Sequence, residues 1–253
     1  MFALIARNQV KAARDAYKTQ AKSRFNIILN GDSYKASHFL QYPKDTRQVF
    51  SYIESRGGDY DKAVFFGLQM FIKQYLTVRV TYEMIEEARI VYEKHGVPFN
   101  IDGWTYIVEK LGGKLPISIR AQKEGSVVPV KNIMLSIVNT DDNAFWLTSF
   151  LETALLRAIW YATTVATKSY TAKKVIKRFL DKTSDIPDVL LPSRLHDFGA
   201  RGTSSEESAE IGGLAHLVNF AGTKMTVTSA PVASMASPTE PKTGTLVPSK
   251  STV

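Results

Sequence analysis

The sequence contains no cysteine in 253 residues. That excludes disulfide scaffolds, cysteine nucleophiles and thiolate zinc sites, and it is compatible with a reducing cytosol. No run approaches the ~18–20 apolar residues that a helical membrane span needs, which excludes an integral membrane protein of that kind. Histidine is sparse: His38, His95, His196 and His216 are scattered and form no HExxH or comparable pair, so no metal site is expected. There is no GxGxxG or P-loop motif. No GxSxG elbow surrounds Ser204 or Ser205, so His196 and Asp197 do not read as a hydrolase triad.

What is present has the balance of a globular protein: 44% hydrophobic, 11% aromatic and 22% charged residues. The net charge of +8 invites a nucleic-acid reading, but its distribution opposes one. Residues 1–24 carry +5 and residues 224–253 carry +2, leaving +1 for everything between. A nucleic-acid groove needs clustered cations on the folded body, and here the excess sits on the ends.

Composition sets off the two ends, and the body between them is divided as the family resemblance given below implies. Residues 1–24 read as a basic helical arm, poor in acids but lacking the serine content of a transit peptide. Residues 25–155 read as an α+β domain and residues 156–223 as the first part of an α/β domain. Residues 224–253 hold eleven serines and threonines, four prolines and no aromatic residue, the composition of a disordered tail.

Within the body, Phe25–Leu29 and Val49–Ile53 read as strands, the first entering an Asn30-Gly31-Asp32-Ser33 turn. Helices are expected over Val64–Leu76, Thr81–Lys94 with Thr81 as cap, and Trp104–Leu111 with Asp102 as cap. Ile117–Ala121 and Ile133–Val138 alternate apolar and polar residues and read as antiparallel neighbours. Phe145–Tyr161 reads as a helix buried on most sides, and Thr171–Asp181 as an amphipathic helix. Val189–Leu195 reads as a strand, and Ser204 as the cap of a last helix with Glu206 and Glu207 in its first turn. His216 reads as a core histidine.

Three constellations could carry chemistry. Gly31-Asp32-Ser33-Tyr34-Lys35, followed by His38 and Tyr42-Pro43, puts a carboxylate, a phenol and a cation on one turn; it reads as a site for a polar aromatic ligand or as an Asx-capped turn with a packed tyrosine. Glu54-Ser55-Arg56-Gly57-Gly58 places an arginine beside bare backbone, which suits a phosphate, or is a solvated flexible turn. His196-Asp197-Phe198-Gly199-Ala200-Arg201-Gly202 follows a strand, where α/β folds place ligands. Phe198 offers a ring face and Arg201 a guanidinium for phosphate; the other reading is a buried phenylalanine and a surface arginine.

Taken together these segments resemble the nicotinamide phosphoribosyltransferase family. The matching pieces are Gly31–Lys35 with His38 and Gln41-Tyr42-Pro43, Val49–Arg56, Phe65–Gln69, Trp160-Tyr161 with Thr164–Thr167, Leu195–Gly202, and Ala215–Phe220 with Gly222-Thr223. They occur in family order over about residues 25–223, roughly half of the usual family chain. The resemblance implies an α/β chain: an α+β N-terminal domain, then the beginning of an incomplete α/β barrel of the type II phosphoribosyltransferase kind. It implies a cytoplasmic homodimer that joins nicotinamide to phosphoribosyl pyrophosphate, with Mg2+ and ATP as cofactors and each site built at the subunit interface. Phe198 then matches the ring that stacks on nicotinamide. Tyr34 and Asp32 match residues reaching the ligand from the second subunit, Arg201 an arginine near the phosphoribosyl group, and Arg56 an arginine that binds phosphate across the interface. Two family residues have no counterpart. Lys224 stands where the family carries an aspartate that accepts a hydrogen bond from the amide, and no histidine follows His216 to take the place of the family phosphohistidine. The alternative reading is an inactive homologue acting as a dimerisation or regulatory fragment.

Overall fold

A computed structural model describes residues 26–223 and 251–252. The expectations for residues 1–24 and for residues 224–250 lie outside the described residues. A 3-10 turn at Ile27–Leu29 and a nine-residue 3-10 segment at Ser33–Gln41 lead into β1 (Phe50–Glu54) and β2 (Lys62–Val64). Next come α1 (Leu68–Phe71), which passes into a π-helical turn at Ile72–Leu76, α2 (Tyr82–Lys94) and α3 (Ile101–Leu111). β3 (Ile117–Ala121), β4 (Val127–Pro129) and β5 (Ile133–Asn139) follow, then α4 (Leu147–Phe150) and α5 (Glu152–Thr183). The described body ends with α6 (Pro187–Leu190), β6 (His196–Asp197), α7 (Glu206–Leu217) and β7 (Gly222–Thr223), and β8 (Ser251–Thr252) lies beyond.

The main sheet has the order β1-β5-β3-β8, antiparallel throughout, with Phe50 opposite Val138 and Ile117 opposite Asn139. The period-2 pattern accounts for it: Ile117, Ile119, Leu135 and Ile137 are buried. Buried Asn139 pins the entry to β1, accepting from Val49 N at 2.8 Å and donating to the Arg47 carbonyl at 2.8 Å. Below the sheet, Trp104, Trp146 and Phe150 meet edge to face at 4.9–5.9 Å. Each such fully buried large side chain contributes roughly 2–3 kcal/mol. A second apolar cluster, which includes Val64, Phe66, Met70, Ala162, Ala166 and Leu214, joins β2 and α1 to α5 and α7.

Several elements differ from the sequence reading. Residues 27–29 form a 3-10 turn instead of a strand, because the Asn26 side chain accepts from Ile28 N and donates to the Met84 carbonyl, curling the chain onto α2. The expected helix over residues 64–76 begins only at Leu68: Val64 is in β2, and Gly67 takes φ +111° between them. Asn100, not Asp102, caps α3. The two helices expected over residues 145–161 and 171–181 are largely one, since α5 runs unbroken through 32 residues, and it is not buried on most sides: Leu156 and Trp160 are exposed. The 155/156 division falls inside α5. Residues 189–193 are helical turns, with Pro192 unable to serve a central strand, and only His196–Asp197 form a strand. Ser205, one residue past the expected Ser204, caps α7.

β6 and β7 pair in parallel, His196 opposite Gly222, with α7 crossing between them. This is the β–α–β unit that α/β folds repeat. A Cβ on Gly222 would lie 2.5 Å from the His196 ring, so a larger residue there would force the imidazole aside.

Candidate functional site

The first group of predicted residues is held by the start of α5. The Ser33–Gln41 segment packs on α4, and Lys35, 8% exposed, pairs with Glu152 and reaches Ser149 Oγ at 3.4 Å. Asp32 accepts from Thr153 Oγ1 at 2.6 Å and from the Tyr34 phenol at 3.2 Å. The Tyr34 ring is thus fixed at its hydroxyl while 54% of the residue stays open to solvent, tilted 5.3 Å from His38. The Asp32 charge raises the Tyr34 phenol above its ordinary value. Thr153 and Glu152 were not singled out from the sequence; their signal was the polar Glu-Thr pair opening an otherwise apolar run.

Arg56 follows β1, exposed, beside Gly57 and Gly58 at φ +106° and +148°. It lines two clefts. One, of about 420 Å³, runs from Tyr52 to Ser149 and Glu152, the residues that hold Lys35. The other, of about 510 Å³, runs toward Trp160 and Lys168 of α5.

Phe198 and Arg201 lie together elsewhere, at the carboxyl end of β6. Asp197 Oδ1 accepts from Gly199 N at 2.7 Å and turns the chain, and Gly199–Gly202 form a 3-10 turn packed on α7. Phe198 is 61% exposed rather than buried. The N-terminus of α7 is already served by Ser205 Oγ and by Glu206 and Glu207, so a phosphate here would rely on the Arg201 guanidinium and not on the helix end. Within one chain, among the described residues, no ring contact joins Phe198 to Tyr34. His216 is the expected core histidine, 4% exposed, 2.9 Å from Ser169 Oγ and stacked on Phe220.

The Mg2+ implied by the resemblance finds no cage here. Among the described residues no three His, Asp or Glu side chains cluster closely enough to hold a metal ion.

Residues 26–119 match the family described as nicotinamide phosphoribosyltransferase, N-terminal domain, and residues 193–240 match the nicotinate phosphoribosyltransferase (NAPRTase) family. Over residues 26–119 the chain is nicotinamide phosphoribosyltransferase-like. The nicotinamide phosphoribosyltransferase of Xanthomonas campestris pv. campestris (strain 8004) is 55% identical over 198 residues, which cover 78% of this chain and 42% of that protein. The one from Acinetobacter baylyi is 33% identical over 217 residues, 79% of this chain and 43% of that protein. The crystal structure of human nicotinic acid phosphoribosyltransferase superposes with a TM-score of 0.54 at 20% identity, over 78% of this chain and 36% of that one, a likeness of fold. The chain therefore spans about two-fifths of the length of these relatives. Its α/β fold is shared with that part of the human structure. Among the described residues no helix is long and apolar enough to cross a membrane.

Proposed function

We propose that the protein acts in NAD salvage as a nicotinamide phosphoribosyltransferase, joining nicotinamide to phosphoribosyl pyrophosphate in the cytoplasm. Support comes from the likeness to nicotinamide phosphoribosyltransferases and, above all, from the exposed Phe198 ring at the carboxyl end of β6 with Arg201 three residues beyond. A neutral planar amide ring gains most from two aromatic faces. Phe198 supplies one. Tyr34, held by Asp32, supplies the other from a second copy of the chain, since the two rings do not meet within one.

In the reaction the pyridine nitrogen bonds to the anomeric carbon as the bond to pyrophosphate breaks, and the electron pair leaves with pyrophosphate. Positive charge develops on the ribose ring in an oxocarbenium-like state. The chain's own residues orient the ring by stacking, and Arg201 and Arg56 neutralise phosphate oxygens with forked hydrogen bonds.

The test is incubation of the purified chain with nicotinamide, phosphoribosyl pyrophosphate and Mg2+, scoring nicotinamide mononucleotide, with nicotinic acid assayed beside it to read the effect of Lys224. Phe198→Leu keeps an apolar side chain and removes the aromatic face. It should weaken nicotinamide binding by about 1 kcal/mol, roughly fivefold. Unchanged binding in Phe198→Leu would refute the stacking role, and binding without turnover would favour the inactive dimerising homologue.

A further inference from the structure

A cavity of about 330 Å³ lies between the chain entry at Asn26 and Asn30, α1 with its π-helical turn, the early turns of α5 and the start of α7. It shares no lining residue with the two Arg56 clefts, and none of Tyr34, Phe198 and Arg201 lines it. Its volume is at the small end of the range for small-molecule sites, about 300–1,000 Å³. The floor is apolar, with Met70 and Phe71 buried and Leu29 and Ile211 half-buried. The rim is charged: Arg157 comes from α5, Glu207 from α7 and Glu87 from α2. A π-helical turn is rare in proteins and frequent at functional sites, and here it delivers Gln74 and Tyr75 to the same rim.

Two opposed charges flank one hydroxyl. Tyr75 donates to Glu207 Oε1 at 2.6 Å. Burial, then this bond and the Glu207 charge, raise the phenol, and the Arg157 charge draws it back down, so guanidinium and carboxylate act on the same group. Among the described residues the two nevertheless form no ion pair with each other. Arg157 donates from Nη2 to the Asn30 amide oxygen at 2.5 Å, and among the described residues the rest of its fork has no protein acceptor. A guanidinium and a carboxylate held apart across a gap match a group that carries both charges itself. Glu87, which accepts from Asn26 Nδ2 at 3.0 Å, brings the net charge of the lining to −1, so an ammonium is favoured over a carboxylate alone.

We propose that this cavity binds a free α-amino acid with an apolar side chain. Arg157 takes the carboxylate in a forked pair, Glu207 accepts from the ammonium, and the side chain lies on Leu29, Met70, Phe71 and Ile211. The inference stands on this geometry and is independent of the nicotinamide site.

Titration calorimetry of the full chain tests each part. L-leucine and L-phenylalanine should bind saturably. Glycine, which has no side chain to lay on the floor, should bind roughly tenfold more weakly than leucine. Isoamylamine and isocaproic acid each lack one of the two charges and should also lose roughly tenfold, the acid more than the amine. Arg157→Gln should weaken leucine roughly tenfold and leave isoamylamine unchanged, whereas Glu207→Gln should weaken both. Retained isoamylamine binding shows that the Arg157→Gln cavity is intact, and a thermal melt of each variant reports its fold. No saturable binding of either amino acid would overturn the inference. So would glycine, the amine or the acid binding as tightly as leucine, since the floor or one charge would then be idle. Equal loss of leucine and isoamylamine in an Arg157→Gln chain that melts like the unmodified one would refute the pairing of Arg157 with the carboxylate.

Discussion

The ion pair that anchors Tyr34 is lopsided, and its two halves should respond differently to removal. The Lys35 side chain is 7% exposed and that of Glu152 is 51% exposed. Glu152→Ala leaves a buried ammonium whose remaining partners are Ser149 Oγ at 3.4 Å and the Tyr34 ring at 5.6 Å. Breaking a buried pair from that side costs about 3 kcal/mol, because the stranded charge has lost its water and its partner. Lys35→Met removes the buried charge, keeps most of the volume and returns Glu152 to solvent, at a cost of about 1 kcal/mol or less. The double variant should lie close to Lys35→Met alone, giving a coupling of about 3 kcal/mol. Urea unfolding followed by the fluorescence of buried Trp104 and Trp146 measures this. With a slope of about 2 kcal/mol per M, Glu152→Ala should lower the midpoint by about 1.5 M and Lys35→Met by about 0.5 M. A Lys35→Met variant as destabilised as Glu152→Ala would refute the assignment of the burial penalty to the lysine.

Two further perturbations test the packing between the sheet region and α5–α7. Gly67→Ala combines a positive φ with a Cβ placed 2.5 Å from the Ala158 carbonyl oxygen and 2.8 Å from the Ala162 Cβ, so it should cost about 3 kcal/mol and lower the Tm by roughly 10 °C in a thermal melt. A shift under 2 °C would show that α5 can retreat. The Tyr75 phenol is pushed well above its ordinary value, first by burial and then by its 2.6 Å bond to Glu207 and that residue's charge. The folded chain keeps a proton that the unfolded chain releases, so this stability is intact below about pH 10 and is lost as pH rises beyond it. Tyr75→Phe should flatten the fall in unfolding free energy above pH 10, in part only because burial also raises Tyr92. An identical slope in the two proteins would contradict the linkage.

Which parts were legible follows from how much local information each carries. The strands β3 and β5 and their antiparallel pairing come directly from alternation, and Thr81 caps α2 as its chemistry dictates. The run at residues 25–29 has no period, so only Asn26, through its bonds to α2, decides for a turn. The continuity of α5 was available in another form: residues 151–183 contain neither glycine nor proline, and nothing there can stop a helix. Pro192 argued equally against a strand at residues 189–195. At the candidate site, the residue types of Tyr34, Phe198 and Arg201 were readable. Their support was not, because Glu152 and Thr153 lie more than a hundred residues from the groups they hold.

That support converges on one element. At 1.5 Å per residue α5 is about 48 Å long. Its first turn fixes Asp32 and Lys35; its second and third turns bear Trp160 and pack Ala158 and Ala162 against Gly67; its middle holds Lys168 at the Arg56 cleft and Ser169 against His216. His216 in turn binds the Leu195 carbonyl, one residue before β6, at 3.1 Å. The turn that presents Phe198 is therefore tied through one buried imidazole to the same helix that holds Tyr34. A rigid helix cannot bring the two rings together, since they leave it from separate ends of this chain of contacts. It can hold each ring in a fixed position, which is what the proposed clamp assembled from two copies would need more than proximity within one.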